Sequence, residues 1–262
     1  TNLFQEDGTG RPRLTLETGT NDQQQYYHSG SGGPVLIWIY VIVEGDNISA
    51  LDVQSTTALA LNGGAITDIA GNNAVLTLPE PGSANSLSAN TDFVIDTSAP
   101  TMTITAANGS GTAISSGSTT NDQTLILTFT ASEPTANFIV DDVTIVGGTL
   151  SNFAATSSKV YTATLTPSNN SVTSVNVAAN KFTDTAGNNN AVSNQFTWSR
   201  DNIAPSMTIT ASDGTNPIPD GATTNDKSII VFFNASEPTT NFTVEDVTLS
   251  GGTLGNFLAS SP

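Results

Sequence analysis

The chain has 262 residues, enough for two or three domains of about 100 residues each, and 37% of them are hydrophobic. Acidic residues outnumber basic ones 23 to 6, for a net charge of −17, which makes nucleic acid and anionic membrane surfaces poor partners. There is no cysteine, so disulfides and thiolate metal sites are excluded, and no run of 18 apolar residues that could cross a membrane as a helix.

No long window repeats apolar residues at i, i+3, i+4 and i+7. Instead, β-branched residues form short runs broken by turn residues about every 8 to 12 positions, the pattern of an all-β sandwich or barrel. The chain starts without a Met or a signal peptide and reads as a segment of something longer. The acidity has two open readings: solubility in a saline medium, or carboxylates gathered around divalent cations.

The first stretch, 1–95, holds the run Val35-Leu36-Ile37-Trp38-Ile39-Tyr40-Val41-Ile42-Val43, apolar on both faces of a strand. With Leu36, Trp38, Tyr40 and Ile42 turned to a core, Val35, Ile37, Ile39, Val41 and Val43 need a second cover. Residues 1–33 folding over them, or a subunit or partner contact, would each supply it.

From Asp96 the strands read one by one. Met102, Ile104 and Ala106 alternate with Thr on strand A, and Leu125, Leu127, Phe129 and Ala131 form the inner face of B. Phe138 and Val140 fit C, Leu150 and Phe153 fit D, and Tyr161, Ala163 and Leu165 fit E. Val175 and Val177 fit F, and Phe196 and Trp198 fit G. Seven short strands with Thr, Ser and Asn outward make an immunoglobulin-like antiparallel sandwich.

A repeat follows. Asp96-Thr97-Ser98-Ala99-Pro100 returns as Asp201-Asn202-Ile203-Ala204-Pro205, and 121–157 matches 225–261 at 23 of 37 positions. A period of about 105 residues marks whole domains rather than solenoid units. Thr67-Asp68-Ile69-Ala70-Gly71-Asn72 in the first stretch echoes Thr183-Asp184-Thr185-Ala186-Gly187-Asn188. The chain therefore divides into a divergent Ig-like unit at 1–95, a complete one at 96–200, and the first half of a third at 201–262.

These landmarks resemble the bacterial Ig-like repeats of giant adhesins and other repetitive surface proteins. The resemblance rests on Asp-x-x-Ala-Pro at 96 and 201, Ala-Ser-Glu-Pro at 131–134 and 235–238, and Asn-Phe-x-Val-x-Asp-Val-Thr at 137–144 and 241–248. Gly-Gly-Thr-Leu at 147–150 and 251–254 and Thr-Asp-x-Ala-Gly-Asn at 183–188 complete it. It implies structural spacers or adhesive modules outside the cell, many of which bind calcium near domain junctions.

Topology indicates where calcium would sit. In a seven-strand Ig sandwich, strand A starts at the pole carrying the B–C and F–G loops, so Asp96, Glu133 and Asp184 converge there. Calcium takes six to eight oxygen ligands, which carboxylates and loop carbonyls provide, and Gly187 allows the tight turn this requires. Asp201 and Glu237 repeat two of the three positions, and Glu44, Asp46 and Asp68 are the candidates in the first unit. Strand C is expected to carry Asp141 and Asp142 to the opposite pole, toward Asp201. The competing reading is plain turn chemistry, since Asp and Asn bond their own backbone.

Other features carry no chemistry. His28 is the only histidine and has no nucleophile motif beside it. Asp141-Asp142 and Glu245-Asp246 are strand neighbours pointing to opposite faces. Gly63-Gly64 and Gly147-Gly148 lack the Lys and Ser or Thr of a phosphate loop. The expectation is a non-enzymatic structural or adhesive segment at the cell surface, with neighbouring repeats, copies of itself, or surface glycans and proteins as partners. A carbohydrate- or protein-binding module, or accessory domains of a secreted enzyme, are the alternatives.

Overall fold

A computed structural model describes residues 10–168 and 172–258. Almost every element is a strand, and the chain divides into two compact units, Thr1–Arg200 and Asp201–Pro262.

The middle of the first unit is the complete sandwich. Its strands are β6 (Met102–Ala107), β7 (Ala113–Ile114), β8 (Ser118–Thr120), β9 (Leu125–Ala131), β10 (Val143–Val146), β11 (Gly148–Ala155), β12 (Val160–Pro167), β13 (Val172–Val177) and β14 (Phe196–Arg200). One sheet runs β11-β12-β9-β6-β7 and the other β10-β13-β14-β8. Reading β6, β9, β12 and β11 as A, B, E and D, and β10, β13 and β14 as C, F and G, gives the two Ig sheets. Alternation builds the core: Leu125, Leu127 and Phe129 on β9 are fully buried, while Ile126 and Thr130 between them face out. Trp198, also fully buried, donates its indole N–H to Thr120 Oγ1 at 3.1 Å, so the largest core side chain leaves no polar atom unmet.

Three details of this domain differ from the sequence reading. Strand C begins at Val143, not before Val140. Asp142 accepts the Ile139 N–H at 2.9 Å and closes a 3₁₀ turn over Val140–Asp142, a local bond that periodicity cannot register. Asp141 and Asp142 therefore precede β10, whose first residue lies opposite Val177, where the F–G loop departs. They stand at the end of the sandwich that carries that loop, not at the opposite pole. Phe182, 1% exposed, is a further core residue from the F–G loop, and β8 runs parallel beside β14.

Residues 10–95 form a smaller sheet: β1 (Arg13–Glu17), β2 (Gln23–Ser29), β3 (Ile37–Trp38), β4 (Asp52–Val53) and β5 (Leu59–Ala60). Its order is β3-β2-β1-β4, with β5 also on β1, around a core of Leu16, Leu51 and Ile95. The apolar run 35–43 supplies only the two residues of β3, at the sheet edge. Leu36, Trp38 and Tyr40 are half-buried as the alternation requires, but Ile42 is exposed. Val35, Ile37, Ile39, Val41 and Val43 are exposed, so residues 10–33 do not cover them; 1–9 lie outside the described residues.

The second unit carries β15 (Met207–Ser212), β16 (Pro217–Ile218) and β17 (Ile230–Ala235) in one sheet, order β16-β15-β17. It repeats the middle domain closely. The ring trio Phe233, Phe242 and Phe257 matches Phe129, Phe138 and Phe153, and Asn256, like Asn152, adopts positive φ. Asn tolerates this left-handed conformation better than most residues. Yet Ile209 is 64% exposed where its counterpart Ile104 is 2% exposed. Among the described residues of this unit, no strands correspond to β12–β14.

Candidate metal centre

Three segments meet at one pole of the middle domain. The first is the lead into β6. Ile95 bridges Ile48, and the Thr97 N–H donates to Asn47 Oδ1 at 2.8 Å, which fixes the backbone through Asp96. The second is the B–C loop, where Ser132 Oγ accepts the Thr101 N–H at 3.0 Å and holds Glu133 beside the same lead. The third is the F–G loop. There Asp184, 1% exposed, takes the N–H groups of Gly187 and Asn188 on one oxygen, at 2.7 and 2.9 Å, and the Asn188 amide on the other at 2.8 Å. Gly187 sits at φ +98°, a conformation that other residues adopt only with strain.

Two asparagines lock this arrangement, one of which, Asn190, the sequence reading passed over. Buried Asn190 accepts the Lys181 and Phe182 N–H groups and donates to the Ala178 and Ala191 carbonyls, all within 2.7–2.9 Å. All the polar capacity of its amide group is then spent inside the loop. Asn188 also donates to the Asp96 carbonyl at 3.0 Å, tying the F–G loop to the strand-A lead. The signal in the sequence was the run of three asparagines after Gly187, which looks like generic turn composition.

The result is that Asp96, Glu133 and Asp184 each present a carboxylate oxygen within 4.8 Å of the other two. Among the described residues this is the group of acidic or imidazole side chains close enough to share an ion. Burial, and then the negative charges of Asp96 and Asp184, push Glu133 above the usual glutamate range; Lys159 offsets this only in part. Two like charges about 4 Å apart repel by roughly 4 kcal/mol at an effective dielectric of 20. The donor set is all oxygen, from three chain segments, with lone pairs to spare on each carboxylate. That is chemistry suited to a hard divalent cation of the calcium type. An open cleft lined by Asn47, Ile48, Val94, Asp96, Ser132 and Glu133 leads to it.

The other expected acids are not gathered this way. Asp46 is 2% exposed and serves the fold, accepting from Tyr40 Oη at 2.6 Å, Val43 N at 2.9 Å and Gln23 Nε2 at 3.1 Å. Asp68 closes its own turn on Asn72, and Glu44 is exposed, so Glu44, Asp46 and Asp68 form no such group. The reason is topological: with 35–43 at the sheet edge, no second sheet draws these loops to a common pole. Asp142 is engaged at Ile139 and Asp141 is exposed. In the second unit, Asp201 accepts the Ile203 N–H at 3.0 Å, and Glu237 Oε1 is buried without a hydrogen-bond partner.

Residues 96–199 match the family model of a bacterial Ig-like domain, and the sheet order, core and loop geometry described above agree with it. The chain thus carries a bacterial Ig-like domain over those residues. No curated protein and no solved structure matches it. Domains of this family are typically non-catalytic, structural modules of extracellular or surface-exposed proteins.

Proposed function

We propose that this chain is a structural and adhesive segment of a large repetitive extracellular protein. Its tandem units form a stalk or fibre, and its junctions are stiffened by calcium. The observation that carries the reading is the meeting of Asp96, Glu133 and Asp184 within 4.8 Å, at the end of the middle domain where residues 10–95 lead in. A cation there bonds the strand-A lead to the two loops it faces and removes the repulsion that raises Glu133. Loss of that tie leaves the lead held only by hydrogen bonds such as Thr97 to Asn47. The recurrence of Asp201 and Glu237 in the next repeat extends the pattern along the chain. Neighbouring repeats, copies of the chain, and surface glycans or proteins are the partners of such a segment.

Calcium titration of the full chain tests this by thermal unfolding. At 100 times the dissociation constant, native-state binding adds about 2.7 kcal/mol and raises the melting temperature. Glu133→Gln is expected to abolish the calcium response while raising the melting temperature measured in chelator, because it removes the repelling charge. An unchanged melting temperature of the wild-type chain in calcium rules the reading out.

A further inference from the structure

The strip Val35–Val43 carries Val35, Ile37, Ile39, Val41, Ile42 and Val43 at 44 to 67% exposure. Residues Ile39–Val43 continue beyond β3 without a ladder partner, so this sheet edge presents free backbone groups beside apolar side chains. From Gln23 to Val43 the sequence has no Asp, Glu, Lys or Arg.

We propose that a second copy of this chain pairs along the strip, antiparallel, about a two-fold axis at Ile39. Three observations select that occupant. The strip is self-complementary, since antiparallel pairing centred on Ile39 sets every residue opposite an apolar one. It is also neutral, so a cationic partner would be drawn to the acidic surface elsewhere, whereas two chains of charge −17 can approach along an uncharged seam. Finally, six half-exposed aliphatic side chains offer on the order of 500 Å² per copy, below the roughly 800 Å² per partner of a stable complex. The contact is therefore reversible and concentration-dependent, as suits lateral association of stalks. This rests on the stalk reading above, in which copies of the chain are partners, but not on the cation.

The chain's lack of cysteine makes the test clean. Ile39→Cys is expected to give a disulfide-linked dimer under mild oxidation, and Ile69→Cys, on a fully exposed turn away from the strip, is expected to stay monomeric. In sedimentation velocity the wild-type mass rises with concentration from 26.9 kDa toward twice that value. Val41→Lys weakens association at least tenfold, and chelator leaves it unchanged. Equal cross-linking of I39C and I69C, or a wild-type chain that stays monomeric throughout, overturns the proposal. So does a V41K chain that associates like wild type. A dimer that dissolves in chelator overturns the strip while leaving the cation reading standing. If V41K does not fold, the cysteine pair decides alone.

Discussion

Asp46 and Glu133 both belong to the acidic excess, and their surroundings drive them in opposite directions. Burial opposes ionisation of Asp46, but the hydrogen bonds from Tyr40, Val43 and Gln23 outweigh it and hold the carboxyl below the usual aspartate range. A folded pKa below the unfolded one gives stability that is present above the unfolded value and lost as pH falls through the folded value. Glu133, raised by burial and its two acidic neighbours, has the reverse sign. Its contribution is present below the unfolded glutamate value and lost as pH rises through the raised one. Asp46→Ala is accordingly expected to cost about 2 kcal/mol at neutral pH, since it strands buried donors. It should also flatten the loss of stability on acidification, as measured by urea unfolding between neutral and acidic pH. Wild-type stability for D46A at neutral pH would refute the assignment. Composition could not separate these two acids, nor Asp46 from Asp184: all three read as acids in polar loops, and only their neighbours across the fold differ.

Among the elements, β6 and β15 provide a controlled comparison, because Met-Thr-Ile-Thr-Ala is common to both. Ile104 is covered by the opposite sheet and Ile209 is 64% exposed. Ile104→Ala is expected to destabilise by about 3 kcal/mol, the usual cost of opening a cavity in a packed core. Ile209→Ala should cost less than about 1 kcal/mol, having little packing to lose. Amide exchange of each strand in the two variants measures this, and equal losses would contradict the burial difference. The inward faces of strands A, B, D, E, F and G were legible because period-two alternation is a direct consequence of the pleat. Strand C was not, because a single carboxylate bond from Asp142 turns Val140 into a 3₁₀ residue and delays the strand to Val143.

At the scale of the molecule, the sandwich of 96–200 buries two sheets against each other, whereas residues 201–258 present a single three-stranded sheet. Protection from amide exchange should follow that difference. The slowest amides are expected in β9 and β12, with β15 and β17 exchanging much faster, and uniform protection across both units would be inconsistent with it. The repeat, the all-β class, the Ig strand order and the convergence of Asp96, Glu133 and Asp184 were all determined by sequence. Alternation sets faces, and a known strand order brings chosen loops to one pole whatever their distance along the chain. Tertiary structure alone decided which acids are free to hold an ion and which are consumed by the fold. It also decided that 35–43 lies at an edge rather than in a sheet centre. Hydrogen-bond partners and sheet neighbours come from segments distant in sequence, so local pattern cannot specify them.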